Sequence, residues 1–241
     1  MESQSPSLTV ILLMYNEALN IVRTLEETRD FLEANLTDFE IVVVDDGSTD
    51  GSGALATSFA AGHPFVHVIT HEKNRGMGAG LTTGIAAARK EYFTFNAADG
   101  QIPAVEIGKM LPLLAEADMV LTTYADGRES LFRGALSRCL RVYMQIVAGL
   151  DIRLQGLYLF PTAAAQKIAP TLDAQTFFFS FALIACGREM GLRPTWTTIR
   201  CLPRASGKSK VVNAKQILSV AAEAIRFGQK KRNARRAVTR Q

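Results

Sequence analysis

The residues best able to do chemistry stand together at Asp45-Asp46-Gly47-Ser48-Thr49-Asp50. A run rich in β-branched residues, Phe39-Glu40-Ile41-Val42-Val43-Val44, leads into them, so two carboxylates meet a glycine turn where a strand should end. Carboxylates so placed accept hydrogen bonds from a base and a ribose. The plainer alternative is a helix start with Ser48 or Asp50 as its cap. The other notable group is cationic. From Arg204 onward there are eleven basic residues and one acidic residue, Glu223; sixteen basic and twenty-two acidic residues precede them. The net charge of +4 therefore hides an acidic body with a basic tail, and such a tail seeks phosphate on nucleic acid or on an anionic membrane face.

The elements that must position these groups alternate. Leu8 to Leu13, Phe39 to Val44, Val66 to Thr70, Tyr92 to Phe95 and Met119 to Thr123 read as strands. Helical spacing falls at Asn20 to Leu36, Gly51 to Ala61, Gly76 to Arg89 and Val105 to Ala117. Strands alternating with helices of this length predict right-handed crossovers and a mainly parallel α/β sheet. Ligands of such sheets bind beyond the carboxyl ends of the strands. Four polar, glycine-rich segments lie there: Met14 to Glu17, Asp45 to Asp50, His71 to Gly78 and Asn96 to Pro103.

The second half is less regular. Leu131 to Gly149 and the almost wholly apolar Thr176 to Met190 read as helices, and Leu157 to Phe160 (stopped by Pro161) and Thr195 to Leu202 as strands. Val211 to Phe227 reads as an amphipathic helix with Val211, Val212, Ile217, Leu218, Ala221 and Ile225 on its apolar stripe, followed by a basic run. His63, His67 and His71 read as surface or capping residues, and Trp196 as core.

Composition excludes several classes. With 48% hydrophobic and 21% charged residues the chain is not disordered, collagenous or low-complexity. No apolar run reaches the ~18 residues of a membrane-spanning helix. Met1 to Pro6 lack the pattern of a secretory signal. Cys139, Cys186 and Cys201 form neither a disulfide framework nor a metal-ligand spacing, so a cytoplasmic protein is expected. Asn74-Arg75-Gly76-Met77-Gly78 lacks the acidic residue about 20 positions on that a dinucleotide fingerprint needs.

Tyr15-Asn16-Glu17, Val44 to Asp50, Asn74-Arg75-Gly76 and Ala79-Gly80, in that order, resemble the inverting family-2 glycosyltransferases, most closely the dolichol-phosphate mannose synthase-like branch. The resemblance runs from about Leu8 to Lys210. It implies a nucleotide-diphospho-sugar transferase (GT-A) fold over residues 1–210, with a nucleotide-sugar half at about 7–124 and an acceptor half at 125–210. Residues 211–241 form the amphipathic helix and basic tail. It assigns the nucleotide to Tyr15, Glu17, Asp45 and Asp46, with Asn16 shaping the turn.

The family's Asp-x-Asp metal motif, often followed after one residue by Gln, stands here as Ala97-Ala98-Asp99-Gly100-Gln101. Asp99 and Gln101 are kept as ligands for Mg²⁺ or Mn²⁺. Ala97 removes the first carboxylate, so the site is weakened or lost. Mg²⁺ takes one or two carboxylates alongside phosphates and water, so this reduced set is chemically sufficient. Arg204-Ala205-Ser206-Gly207-Lys208-Ser209-Lys210 resembles the family's Arg-x-x-Gly-x-Ser-Lys segment. It implies a loop in which Arg204, Ser209 and Lys210 donate to phosphate oxygens, Arg204 and Lys210 stabilising the leaving group. Arg133 and Arg138 fall where the family carries arginines ahead of its acceptor region and would bind a lipid phosphate.

Three departures touch the acceptor half: Tyr124 stands for an arginine, Gln155-Gly156-Leu157 for Ser-Gly-Phe, and Ser180 for an acidic residue. Without that carboxylate, an already anionic polyprenyl phosphate suits the site better than a sugar hydroxyl, which needs a base. The expected partners are a nucleotide-sugar donor, a polyprenyl phosphate and an anionic membrane surface, reached peripherally from the cytoplasmic face or through a partner subunit. The rival readings are a nucleotide-sugar-binding protein with a decayed metal site and a transferase acting on a soluble sugar hydroxyl. Nucleic-acid binding finds no recognition motif.

Overall fold

The computed structural model describes residues 6–125, 142–146, 153–203 and 214–238. Among the described residues, seven strands form one sheet: β1 (Leu8–Met14), β2 (Phe39–Asp45), β3 (Val66–Thr70), β4 (Tyr92–Ala97), β5 (Met119–Tyr124), β6 (Tyr158–Pro161) and β7 (Pro194–Ile199). Their order is β3-β2-β1-β4-β6-β5-β7. All pairings are parallel except the two made by β6. The chain leaves β1 toward β2 and β3 and then crosses back to β4. The switch point, where a crevice opens beyond the strand ends, therefore lies between β1 and β4.

The first two strands are largely apolar because both faces are covered, with the buried Thr9 and Glu40 bonded to each other. Ile11, Val42 and Val44 point into one core with Leu81, Ile85 and Phe93. Leu8, Val10, Leu12, Ile41 and Val43 point into the other with Ile21 and Leu25. Helices α1 (Ile21–Asn35) and α2 (Ser52–Ala61) serve the second face, and α3 (Met77–Ala87) the first. α3 lies close to the sheet, as its small residues suggest: a Cβ at Gly84 would stand 2.5 Å from Ile11 Cγ2. The second half adds α4 (Thr162–Ile168), α5 (Phe178–Glu189) and α6 (Ala214–Val238).

Several expectations are corrected. The helix expected at Val105 to Ala117 is two 3₁₀ turns, Ala104–Lys109 and Leu111–Ala115. Pro112 supplies no N–H and disfavours helical backbone at Leu111, which breaks the run. β7 stops at Ile199, because Arg200 N turns away to Glu106 (3.1 Å). Trp196 is 45% exposed, with Nε1 donating to Arg153 O at 3.0 Å. His71 is buried. Of the helix expected at 131–149, residues 142–146 are helical and the remainder lies outside the described residues.

The last helix runs on to Val238 and is rotated from the expected stripe. Val220, Glu223 and Ala224 are buried, whereas Leu218 is 70% exposed and Ile225 41%. Val211 and Val212 lie outside the described residues. Helical spacing reports an apolar stripe but not whether protein or something else covers it.

Candidate functional site

The register of the sheet assembles the site. Asp45 pairs with Met14, and Ala97 with Leu13, so the loops after β2 and β4 flank the end of β1 at one height. Backbone bonds lock the three together: Asp46 N donates to Met14 O (2.8 Å) and Ala98 N to Leu13 O (2.9 Å).

The Asp45–Asp50 turn interlocks with Met14–Glu17. Asn16 has a positive φ of 54°, which asparagine tolerates, and its Oδ1 accepts from Thr49 N at 2.8 Å. Ser48 Oγ accepts from Asn16 N (2.9 Å), and Asp50 Oδ2 from Ala18 N (3.0 Å). Asp50 also accepts from Ser52 N at 3.0 Å. Burial would raise its pKa, but bonds from Ser52 and Ala18 outweigh this and hold it below its ordinary value. The capping alternative thus holds in part: Asp50 secures the start of α2, although the residue at the N-cap itself is Gly51.

The four candidate nucleotide residues share this edge with different exposure. Tyr15 is 37% exposed, while Glu17, Asp45 and Asp46 are buried. Asp45 Oδ1 accepts from Ser48 N (2.9 Å), and its Oδ2 lies against Gly53, where a Cβ would come within 2.5 Å. Asp46 faces the loop after β3: Oδ1 accepts from Arg75 N and Oδ2 from Gly76 N, both at 2.9 Å, and His71 Nδ1 lies 2.8 Å from Oδ1. The other ring nitrogen of His71 is 2.9 Å from Thr83 Oγ1. Asp46 and His71 therefore join two of the strand-end loops to α3. His71 opens one of the four polar segments, which was the signal for its role.

Asp99 and Gln101 form a tight turn in which Gln101 N donates to Asp99 Oδ1 at 3.1 Å. Gln101 Nε2 donates to Leu202 O (3.3 Å), and Leu202 N to Gln101 O (2.7 Å). This turn opens on a cavity of about 340 Å³, lined also by Ala97 and by Phe177, Ser180 and Phe181. Ser180 Oγ is 3.3 Å from Tyr158 Oη. Burial pushes the Tyr158 phenol far above its ordinary value, with the Ser180 bond opposing, so Tyr158 stays protonated at working pH. At the cavity floor Gly156 has φ 84°, and a Cβ there would lie 2.7 Å from Ile199. Tyr124 N donates to Gln155 Oε1 at 3.1 Å, so two of the three departures from the family pattern touch each other.

Residues 9–170 match the family model described as glycosyl transferase family 2. The chain belongs to that family.

Among relatives of this family-2 glycosyltransferase, a dolichyl-phosphate beta-glucosyltransferase of Trichomonas vaginalis is 29% identical over 203 residues, 76% of this chain and 60% of that protein. A dolichyl-phosphate beta-glucosyltransferase of Dictyostelium discoideum is 24% identical over 88% of this chain and 73% of its own length. An undecaprenyl-phosphate 4-deoxy-4-formamido-L-arabinose transferase of Yersinia enterocolitica is 31% identical over 58% of this chain and 44% of its own. The chain thus spans 60% and 44% of the length of the first and third.

Solved structures share the fold. A mannosyltransferase from Pyrobaculum calidifontis, in complex with GDP-Man and Mn²⁺, superposes with a TM-score of 0.64 at 22% identity, over 93% of this chain and 65% of that one. Glucosyl-3-phosphoglycerate synthase from Mycobacterium tuberculosis, with Mn²⁺, UDP and glucosyl-3-phosphoglycerate, gives 0.66 at 19%, over 91% and 77%. The GT-A fold expected from the sequence is the fold of the chain.

The expected phosphate-binding groups Arg133, Arg138, Arg204, Ser209 and Lys210 lie outside the described residues. The structure brings the remaining site residues to one edge. Asp99 and Gln101 offer one carboxylate and one amide oxygen, and Ala97 offers none. Among the described residues, no group of three or more His, Cys, Asp or Glu side chains could hold a metal. That set fits an ion carried mainly by a diphosphate and water. Glu223 accepts hydrogen bonds from Gln175 and Thr176, just ahead of the cavity-lining Phe177, and none of these three residues carries a sequence motif.

Proposed function

We propose that the chain transfers a glycosyl group, with inversion, from a nucleotide-sugar donor to a polyprenyl phosphate. The observation carrying this reading is the makeup of the cavity beside Asp99. Its described lining offers Ser180, bonded to a protonated Tyr158, and no carboxylate except Asp99. A sugar hydroxyl needs a base to take its proton; a phosphate arrives already anionic. The names of the dolichyl- and undecaprenyl-phosphate relatives support the same acceptor class.

In the proposed reaction the nucleoside lies against Tyr15, with Glu17 and Asp45 at its polar edge and Asp46 holding the loop beneath. An oxygen of the acceptor phosphate attacks the anomeric carbon. The bond from that carbon to the diphosphate breaks, and the diphosphate keeps the electron pair. A divalent cation held by Asp99 and Gln101 would offset the diphosphate charge, with Ala97 making the ion weakly held in the donor's absence. Arg204, Ser209 and Lys210 donate to the departing diphosphate, and Arg133 and Arg138 to the acceptor phosphate.

We place the reaction at the inner face of a membrane. No helix among the described residues is long and apolar enough to cross one. Leu218 and Ile225 nevertheless face outward on α6, as do Arg226, Lys230 and Arg232. Val142 and Ile146, also exposed, belong to the short helical segment that meets α6 where Tyr143 Oη donates to Ala221 O at 3.0 Å. Apolar residues edged by cations suit a peripheral seat on anionic lipid, directly or beside a membrane subunit.

Incubating the protein with labelled nucleotide sugars and a short-chain polyprenyl phosphate tests the reading. Label should pass into an organic-extractable sugar phospholipid. Donor binding without transfer to this acceptor would point to a nucleotide-sugar-binding protein, and transfer to a soluble sugar to a different acceptor class.

A further inference from the structure

We infer that Glu223, on the C-terminal helix, is a positioning residue for the site, and that it acts through the segment 174–177. The inference rests on the proposed transferase reading only for its kinetic consequence. Glu223 is 5% exposed and the only acidic residue after Arg204. Burying a carboxylate is costly unless hydrogen bonds compensate, and here three do. Its Oε1 accepts from Gln175 N (3.0 Å), and its Oε2 from Thr176 Oγ1 (2.6 Å) and, more weakly, Thr176 N (3.4 Å).

Two connections lead from this bracket to the site. Gln175 O accepts from Gly78 N at 2.9 Å. A Cβ at Gly76 would meet Gln175 O at 2.8 Å, and one at Gly78 would meet Ala174 O at 2.2 Å. The segment therefore abuts the start of α3, and Gly76 N is in turn bonded to Asp46 Oδ2 (2.9 Å). In the other direction Thr176 Oγ1 accepts from Phe178 N (3.2 Å), and Thr176 O from Phe179 N (3.1 Å). This begins α5, whose side chains, with Phe177, line the cavity. A carboxylate at that helix start also suits the positive end of its dipole. Glu223 is thus the single side chain among those described on α6 that orders both the start of α3 and the cavity wall.

The test compares full-length wild type, Glu223→Ala, Glu223→Gln and Thr176→Val. The amide oxygen of glutamine still accepts from Thr176 or Gln175, so Glu223→Gln should be a partial rescue. Hydrogen exchange should quicken at Gln175, Thr176 and Gly78 in Glu223→Ala while β1 and β2 keep their protection. KM for the polyprenyl phosphate should rise about tenfold in Glu223→Ala with kcat within about twofold, and less in Glu223→Gln and Thr176→Val. If Glu223→Ala does not fold, the glutamine and Thr176 variants carry the same readouts. Unchanged exchange at these amides, or a lower melting temperature with unaltered KM, overturns the inference. Failure of wild-type transfer defeats the acceptor assignment instead, and the exchange data still judge Glu223.

Discussion

Gln101 and Leu202 hold each other through two hydrogen bonds, Leu202 N to Gln101 O at 2.7 Å and Gln101 Nε2 to Leu202 O at 3.3 Å. A candidate metal ligand therefore also tethers the chain two residues ahead of Arg204. The side-chain amide has two ends with separate tasks: its nitrogen holds Leu202, and its oxygen is the end that a cation would take. Gln101→Ala should lower kcat/KM by about tenfold or more through loss of both tasks. Gln101→Glu keeps a metal ligand but removes the donor. A Glu variant that transfers at the wild-type rate would show that the side-chain bond to Leu202 is dispensable.

Asp99 is the carboxylate proposed to hold the cation. Asp99→Asn should reduce turnover about a hundredfold while the affinity for free nucleoside stays within about twofold, because the lost charge acts on the diphosphate. Ala97→Asp should tighten Mn²⁺ binding in the presence of nucleoside diphosphate, measured by calorimetry. Full activity of Asp99→Asn with chelator present would remove the cation from the mechanism.

Gly53 leaves room for the Asp45 carboxylate, since a Cβ there would stand 2.5 Å from Oδ2. Gly53→Ala improves helix propensity by up to about 1 kcal/mol, yet it must push Asp45 aside. The expected signature is donor affinity about tenfold weaker with no large fall in melting temperature. Unchanged donor binding would detach Asp45 from the nucleotide site.

Glu106 ties the 3₁₀ segment to the end of β7. It is fully buried, accepts from Arg200 N (3.1 Å) and Arg200 Nε (2.9 Å), and pairs with Lys109. Burial raises its pKa, but the bonds from Lys109 and Arg200 prevail and hold it below the ordinary glutamate value. Its stabilisation is therefore complete above the unfolded-state value and is lost as pH falls through the lower folded-state value. Glu106→Gln should cost about 1–2 kcal/mol at pH 7, a modest figure because both cations reach in from solvent. Denaturant unfolding of the two proteins should converge in acid below the ordinary glutamate range; a difference that persists there would mean that packing, not charge, sets the cost.

The sequence by itself determined the first five strands and the three helices that join the first four, and hence the edge that carries Tyr15, Asp45 and Asp99. Apolar runs buried on both faces and turns ending in Asp-Asp-Gly are local patterns, and a parallel sheet gathers such turns at one end. Pro112 is visible too, but helical spacing alone does not show that the segment becomes the two 3₁₀ turns Ala104–Lys109 and Leu111–Ala115. Only the tertiary structure decided the rest. The rotation of α6 depends on Glu223 finding Gln175 and Thr176, 48 and 47 residues earlier. The burial of His71 depends on Asp46, 25 residues before it. Periodicity is a property of neighbours along the chain, whereas the partner of a buried polar group is chosen by whatever the fold carries to it.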